Sequence, residues 1–332
     1  MKYALGNMLN GAGGLNPDGL ALDLQFATDK TLTARKGPTP VFTRASTATF
    51  VGSNGLIQSA AINAARFDHD PVTLVCKGLL IEEARTNLVF PSDVLTTQTR
   101  AVTAVAHTLS FYGSGTVVLS GAHSATVVGT GAYPTRTTLT FTPTAGSLTL
   151  TVTGSVTQAQ LEAGSFPTSY IPTTTASVVR SADVCSITGS AFSGMWNSSE
   201  GTLFASGITR GYLAMANSGA NSNQIAIFRN FSPLYMRFDI ANSGTYTAQI
   251  AGPTISEASY NKVAGSYASN EARAAFNGSL GTPDSTVTVP SNLITLSIGS
   301  QAAGGSPHNG TIDSIRYFRK RLPNAKLQTL TV

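Results

Sequence analysis

The triplet Asp68, His69 and Asp70 is the most metal-like cluster of the sequence, because carboxylate and imidazole groups are common metal ligands. In a β-strand, however, the two aspartates share one face and the histidine lies on the other, so the three side chains cannot converge on one ion without an irregular backbone. Pro71 follows directly, as is typical of a turn. We therefore interpret the triplet as a polar turn and predict neither a metal site nor a cofactor site.

Glu82 and Glu83 are adjacent carboxylates, and paired carboxylates can perform acid–base chemistry on glycosidic bonds. Adjacent residues of a strand point to opposite faces, so this pair is poorly placed to act on one sugar. Arg85 lies two residues later. The spacing favours a structural Glu–Arg pair that packs this segment against a neighbour.

The remaining catalytic residue types follow no pattern. The sequence has no nucleophile elbow, P-loop or zinc-ligand spacing, and His107, His123 and His308 are scattered among polar residues. The members of a Ser–His–Asp site need not be close in sequence, but nothing points to such a site. We predict that the protein is not an enzyme and has no catalytic residues.

Aromatic residues offer a different chemistry, because rings stack on sugar faces while neighbouring amides bond hydroxyl groups. Trp196 is the single tryptophan and lies in a loop-like segment, residues 194–199. Tyr235 and Tyr246 flank the polar face of a predicted hairpin. These three are the candidate carbohydrate-binding residues. The alternatives are a core or interface aromatic for Trp196, which is slightly favoured, and ordinary strand composition for the tyrosines.

Apolar and polar residues alternate in the segments that must position these side chains, which predicts β-strands. A turn at 143–146 between two such segments predicts a hairpin, as does a turn at 242–244, and Asn277-Gly278 predicts a tight turn. No segment keeps a helical period across three turns. The alternating segments are residues 22–26, 139–141, 148–152, 236–240, 246–250, 287–289 and 294–298.

The composition supports an all-β class. Charged residues make up 11% of the chain, against about 25% in an average domain, and Gly, Ser, Thr and Asn, which disfavour helices, replace them. The 42% of hydrophobic residues excludes a disordered chain. The net charge of +5 comes without a basic stripe interleaved with aromatics, so we expect no nucleic-acid partner. Cys76 and Cys185 allow one disulfide at most.

Three groups of segments carry a family resemblance. The first comprises residues 42–51 (FTRASTATFV), 54–57 (NGLI), 65–71 (ARFDHDP) and 78–88 (GLLIEEARTNL). The second comprises residues 159–164 (AQLEAG) and 168–173 (TSYIPT), and the third comprises residues 309–318 (NGTIDSIRYF), Leu322 and 325–327 (AKL).

These segments resemble phage tail and virion-surface proteins with concanavalin-like domains. The second group looks like the closing strand of a carbohydrate-binding-module jelly roll. The third is similar to the last strand and short terminal helix of laminin-G-like sandwiches, although Pro323 stands where that family usually has Ser or Thr. The resemblance implies a virion component, assembled in the cytoplasm of the host bacterium.

The predicted fold is all-β, with tandem jelly-roll β-sandwich domains, a concanavalin A-like C-terminal domain and an irregular N-terminal segment. Residues 1–95 form the assembly or anchoring segment, 96–175 a carbohydrate-binding-module-like jelly roll, and 176–332 the concanavalin A-like sandwich. Residues 170–175 (YIPTTT), with a proline, a run of threonines and no periodicity, mark a linker. We expect the C-terminal domain to stay soluble when residues 1–90 are removed.

The predicted function is a structural protein of the bacteriophage virion, as a tail fibre, a spike, a head fibre or a capsid decoration. It displays lectin-like domains for host glycan attachment. Its expected partners are other virion proteins, copies of itself in a homotrimer, and a host surface glycan, with no membrane insertion and no signal-type apolar run at the N-terminus. The alternatives are a purely structural capsid-stabilising protein, and a glycan-degrading depolymerase or bacterial lectin.

Overall fold

The structure is a computed structural model that describes residues 18–208, 210–257 and 259–332; most of the irregular lead-in predicted for residues 1–20 lies outside them. The described chain forms 26 strands, three short helices and one 3₁₀ turn. The helices are α1 (Phe26–Asp29), α2 (Gly189–Met195) and α3 (Asn324–Thr331), and the 3₁₀ turn is Ala302–Gly304. The strands are β1 (Leu20–Gln25), β2 (Val41–Thr43), β3 (Ala48–Val51), β4 (Ile57–Ala60), β5 (Phe67–His69), β6 (Cys76–Ile81), β7 (Arg85–Asn87), β8 (Gln98–Val102), β9 (His107–Tyr112), β10 (Thr116–Gly121), β11 (Ala125–Val128), β12 (Thr137–Phe141), β13 (Gly146–Thr153), β14 (Thr157–Ala163), β15 (Val178–Arg180), β16 (Val184–Thr188), β17 (Glu200–Ile208), β18 (Tyr212–Asn217), β19 (Gln224–Phe231), β20 (Leu234–Asn242), β21 (Thr245–Thr254), β22 (Tyr260–Ala268), β23 (Glu271–Phe276), β24 (Ser279–Leu280), β25 (Thr295–Ile298) and β26 (Gly310–Phe318).

The smaller of two sandwiches contains β8 to β14. A four-stranded sheet in the order β11–β10–β13–β8 packs on a three-stranded sheet in the order β12–β9–β14. Its core includes Leu109 and Phe111 of β9 and the inward-facing Leu148 and Leu150 of β13, which are all fully buried. Threonines on the other face stay hydrated, as their β-branched and polar side chains favour.

The larger sandwich packs an eight-stranded sheet on a seven-stranded sheet. The first has the order β24–β23–β22–β17–β26–β6–β5, with β1 also paired to β26, and the second has the order β2–β16–β25–β18–β19–β20–β21. One core cluster lies between the sheets and includes Phe238, Tyr267 and Tyr317. Gly265 is required there, because a Cβ at this position would lie 2.1 Å from Cδ2 of Phe238. These two sandwiches confirm the all-β prediction.

The N-terminal segment contributes strands to both sheets of the larger sandwich. The strands β1 and β6 pair with β26, β5 continues the same sheet, and β2 pairs with β16. Leu22 and Leu24 of β1 are fully buried in the core, as their alternation predicts. Strands within residues 20–81 therefore belong to the same sheets as those of the C-terminal domain, and the solubility of that domain without residues 1–90 stays a prediction. The division of the chain at residues 95 and 175 stays a prediction.

The predicted linker is packed against both of its neighbours. Tyr170 and Ile171 are buried, and the Tyr170 hydroxyl lies 2.6 Å from Ser92 Oγ and donates to Asp93 at 2.7 Å. The side-chain amide of Asn87 donates to the Ile171 carbonyl at 2.9 Å. Residues 170–173 thus connect the two sandwiches through fixed contacts.

Some of the predicted strands and turns are wrong, and others are confirmed. The segments 139–141 and 148–152 form no hairpin, because β12 pairs with β9 while β13 pairs with β10 and β8 in the opposite sheet. Residues 287–289 are not a strand, although Val287 is buried in the core. The hairpin of β20 and β21 and the tight turn at Asn277-Gly278 form as predicted. The terminal helix α3 also matches the expectation, and it begins directly after Pro323.

Cys76 and Cys185 are both free, so the one possible disulfide does not form. Cys185 is buried in the larger sandwich, and burial raises the pKa of its thiol far above the ordinary value. Across the described residues, no helix is long and apolar enough to cross a membrane.

Candidate functional site

Trp196 is a core residue of the larger sandwich. It follows α2 and is 8% exposed. Its ring stacks on Tyr317 with 4.3 Å between the ring centroids, and on Phe192 at 5.1 Å. The alternative interpretation of Trp196 as a core aromatic therefore describes what the structure shows. Contact between Trp196 and a glycan stays a prediction, and it would require the ring to leave these neighbours.

Tyr235 and Tyr246 lie on the outer face of the seven-stranded sheet, away from Trp196. In β20, Met236, Phe238 and Ile240 point into the core, so the intervening residues face outwards. In β21, the core residues are Ala248 and Ile250, and a register shift before them places Tyr246 on the outer face. Tyr235 begins this row on β20, and Tyr246 lies opposite Ala241 at its other end. Six residues of strand separate the two positions, which is on the order of 20 Å. One monosaccharide therefore cannot touch both tyrosines.

The middle of this outer face is covered by its own side chains. Tyr212 and Phe228 stack with 4.7 Å between their ring centroids, and the Arg237 guanidinium lies 5.5 Å from the centre of the Phe228 ring. Arg237 also forms an ion pair with Asp239 at 2.8 Å. Burial raises the pKa of Asp239 to about 6, although the neighbouring Arg237 opposes that rise. This layer leaves the end around Tyr246 as the accessible part.

A depression of about 390 Å³ lies beside Tyr246. The tyrosine side chain is 49% exposed. Gln249 is also exposed, and Thr247, Asp284 and Thr286 complete the polar lining. The site thus combines an accessible ring with an amide, a carboxylate and hydroxyl groups. These are the groups that sugar binding uses, namely stacking on a ring and hydrogen bonds to hydroxyls.

The turn interpretation of the triplet holds only for Asp70, because Asp68 and His69 belong to strand β5. Asp70 accepts hydrogen bonds from the backbone nitrogens of Val72 at 3.0 Å and Thr73 at 2.8 Å. Asp68 instead accepts from the Val51 nitrogen at 2.8 Å and pairs with Lys77 at 2.6 Å. In the part of the chain that the structure describes, no three His, Cys, Asp or Glu side chains are placed to hold a metal ion.

Glu82 has the structural role that the sequence favours, within a larger set of buried charges. Its carboxylate pairs with Arg66 at 2.8 Å and with Arg180 at 3.0 Å. Asp183 pairs with Arg66 at 2.5 Å and with Arg44 at 3.1 Å. These five residues, each at most 8% exposed, are called the buried charge cluster below.

The electrostatics of the cluster hold Glu82 ionised. Burial alone would raise the pKa of Glu82, but Arg180 and Arg66, together with hydrogen bonds from Ser169, lower it to about 2. Glu83 points away from this cluster and pairs with Arg85, with its side chain 31% exposed. The two adjacent carboxylates therefore serve different contacts, as opposite strand faces require.

A second concave site, called the sandwich cleft, lies where the segment 49–82 meets the smaller sandwich and residues 166–170. Its volume is about 260 Å³. Phe50 and Ile57 provide apolar wall, while Tyr112, Arg136 and Ser169 provide polar groups. Sequence reasoning missed Tyr112 and Arg136, because isolated residues of these types carry no spacing signal.

Two of the histidines, His107 and His123, stack on the same ring, Phe141. His107 Nδ1 lies 2.8 Å from the Val105 carbonyl oxygen, and His123 stacks on Phe141 with 4.5 Å between ring centroids. His308 is fully buried in the larger sandwich, and burial lowers its pKa to about 4.

Parts of the chain are similar to solved domains of carbohydrate-active proteins. The CBM40 domain of the Ruminococcus gnavus IT-sialidase is 16% identical, and the match spans 43% of this chain and 88% of that domain with a TM-score of 0.37. Domain 4 of AbnA, an extracellular GH43 arabinanase from Geobacillus stearothermophilus solved with arabinotriose, is 11% identical over 50% of this chain and 82% of that domain, with a TM-score of 0.37.

The NanB sialidase from Streptococcus pneumoniae is 19% identical over 43% of this chain and 26% of its own, with a TM-score of 0.34. At these identities and TM-scores, the similarities carry no argument about what this chain does. No protein-family model matches the sequence, and no curated protein matches it.

Proposed function

We propose that this chain is a non-enzymatic structural protein of a bacteriophage particle whose larger sandwich binds a host glycan at the outer face of the β20–β21 hairpin. The observation that carries the glycan assignment is the half-exposed Tyr246 beside a depression lined by Gln249, Asp284 and Thr286. Of the three candidate residues, Tyr246 is the one whose ring is accessible. Tyr235 would contact only a glycan that extends along the hairpin.

Such a site binds weakly, and the proposed particle context compensates for that weakness. One ring and a few hydrogen bonds give a low affinity for a single site. Copies linked in a homotrimer, and many trimers on one particle, would raise the effective affinity by roughly 10²–10⁴ without any new contact. The low content of charged residues, 11%, suits a neutral glycan.

The virion assignment is supported by the resemblance of the segments within residues 42–88, 159–173 and 309–327 to phage structural proteins. Mass spectrometry of purified particles and antibody labelling of intact ones test this assignment and separate head from tail. Detection of the chain at a defined position is the expected result. Its absence from purified particles would leave a bacterial lectin as the better proposal.

The glycan assignment is tested with the assembled protein on an array of host glycans. We expect Tyr246→Ala to lose binding. Tyr260→Ala is the matched control, because Tyr260 is 45% exposed but lies on β22 in the other sheet. Equal binding by wild type and Tyr246→Ala would place the site elsewhere. If the oligomeric wild type binds no glycan, the alternative of a capsid-stabilising protein is favoured. That alternative agrees with the buried ion pairs formed by Arg44, Arg66 and Glu82, which lie within the segments that resemble phage proteins.

A further inference from the structure

The sandwich cleft presents a tyrosine hydroxyl that makes no hydrogen bond within the described protein. Tyr112 is 7% exposed, yet within the described residues its hydroxyl has no hydrogen-bond partner. Because Tyr112 lines the cleft, its hydroxyl is available for a hydrogen bond to a ligand there, and Nε of the neighbouring Arg136 is buried without a hydrogen-bond partner. Burial raises the pKa of Tyr112, so the hydroxyl stays protonated and can both donate and accept.

Arg136 lies beside this hydroxyl and brings a positive charge that no carboxylate balances. Its guanidinium donates to the Thr168 carbonyl oxygen at 2.6 Å and to Ser110 Oγ at 2.7 Å, and both acceptors are neutral. These two bonds fix the guanidinium while leaving other N–H groups for a ligand, since an arginine carries five. No described Asp or Glu forms an ion pair with Arg136.

The carboxylates that line the cleft are already engaged. Asp68 pairs with Lys77 at 2.6 Å, and Glu82 is held by two arginines of the buried charge cluster. The unbalanced charge at the cleft is therefore the single positive charge of Arg136. A ligand with one carboxylate would neutralise it, and arginine–carboxylate pairs are among the strongest hydrogen-bonded contacts in proteins.

The size and the walls of the cleft restrict the ligand further. The volume of about 260 Å³ is just below the range of about 300–1,000 Å³ of sites for drug-sized ligands, so one ring fills it. Phe50 and Ile57 give an apolar wall for a ring face, and Tyr112 gives a partner for a hydroxyl. A single acidic sugar residue has all three features, namely a carboxylate, hydroxyls and an apolar ring face.

We propose that the sandwich cleft is a binding site for an acidic sugar residue, with its carboxylate on Arg136, a hydroxyl on Tyr112 and its ring against Phe50. This site is separate from the depression beside Tyr246 and does not depend on the function proposed for that depression. It lies between the sandwiches, so the ligand contacts both the segment 49–82 and the smaller sandwich.

The test is ligand-observed NMR on the full chain with glucuronate, glucose and acetate. We expect glucuronate to bind at least about tenfold more tightly than glucose, which lacks the carboxylate, and than acetate, which lacks the sugar ring. A factor of about ten is the contribution of one hydrogen bond to a charged group. Glucose binding equally well would overturn the carboxylate assignment, acetate binding equally well would overturn the sugar assignment, and no binding of glucuronate would overturn the site.

Two variants locate the binding. Arg136→Gln should weaken glucuronate about tenfold or more, and Tyr112→Phe, which removes only one hydroxyl, should weaken it by about two- to tenfold. Thermal unfolding of each variant shows that it is folded; if Arg136→Gln is not, Tyr112→Phe alone decides. Unchanged affinity in a folded Tyr112→Phe overturns the proposal.

Tyr246→Ala separates this proposal from the proposed function. It should leave glucuronate binding unchanged, while it loses array binding. If Tyr246→Ala abolishes glucuronate binding, the acidic sugar binds at the depression and the cleft proposal is wrong. If the wild type binds glucuronate but no glycan on the array, the cleft proposal stands and the glycan assignment at the hairpin is wrong.

Discussion

Replacing Glu82 by glutamine tests whether the buried charge cluster stabilises the fold. Glu82 is 5% exposed and contacts Arg66 and Arg180, so the variant leaves the three arginines of the cluster facing only Asp183. Removing one partner of a buried ion pair costs about 3–5 kcal/mol. The pKa gives a second value, because a decrease from 4.5 to about 2 corresponds to about 3 kcal/mol.

The dependence on pH identifies the ionised carboxylate as the cause. The pKa of Glu82 is lower in the folded chain than in the unfolded chain, so its contribution is complete above about pH 4.5 and is lost as the pH falls through about 2. Urea unfolding of wild type and Glu82→Gln should therefore differ most near neutral pH. The difference should shrink towards pH 2, where about half of the Glu82 carboxyl groups are protonated even in the folded chain.

Glu83→Gln is the matched control. It removes the neighbouring carboxylate, which is 31% exposed and paired with Arg85, and such partly exposed pairs contribute about 1 kcal/mol or less. A loss below about 1 kcal/mol in Glu82→Gln, or one no larger than in Glu83→Gln, would refute the reasoning. A loss that persists at pH 2 would show that the ionised carboxylate is not its cause.

Three further predictions concern the larger sandwich. Gly78→Ala should lower the free energy of unfolding by several kcal/mol in urea titrations, because the residue has φ +108° and a Cβ would lie 2.0 Å from the Ile312 carbonyl oxygen. Gly194→Ala is the control, because the space around Gly194 is open, and it should leave the free energy of unfolding nearly unchanged. Trp196→Ala should lower the free energy of unfolding by about 3–5 kcal/mol in urea titrations, because the ring is buried in the core. Removing residues 1–90 should abolish cooperative unfolding of the larger sandwich, as followed by circular dichroism; a cooperative transition in that truncation would contradict the sheet order.

Local sequence patterns predict strands well, and they predict the partner of a strand only when that partner is next in the chain. The β20–β21 hairpin follows from two alternating segments and the turn between them. The segments of β12 and β13 show the same alternation with a turn between them, yet the chain crosses from one sheet to the other at that turn. Alternation reports which face of a strand is buried, and both arrangements bury the same face.

Pairings between distant segments have no local signal. Leu20 of β1 lies opposite Phe318 of β26, and Arg66 pairs with Asp183 across 117 residues. The family resemblance covers residues 42–88, which contain Arg66 and Glu82, but it does not indicate that these residues meet Arg180 and Asp183 in the fold. The chemistry of Arg136 could not be predicted either, since it depends on which charges the fold leaves without a carboxylate partner.

The buried charge cluster also explains how a site between two sandwiches can have a fixed shape. Ser169 belongs to the lining of the sandwich cleft, and its backbone nitrogen and hydroxyl both donate to Glu82, at 2.7 and 2.6 Å. Glu82 is in turn held by arginines from two distant parts of the chain. Because a buried charge leaves its partners only at a large cost, these contacts restrict movement between the sandwiches. The charged residues of the resembling segment therefore act inside the protein, where they position surfaces on which binding can occur.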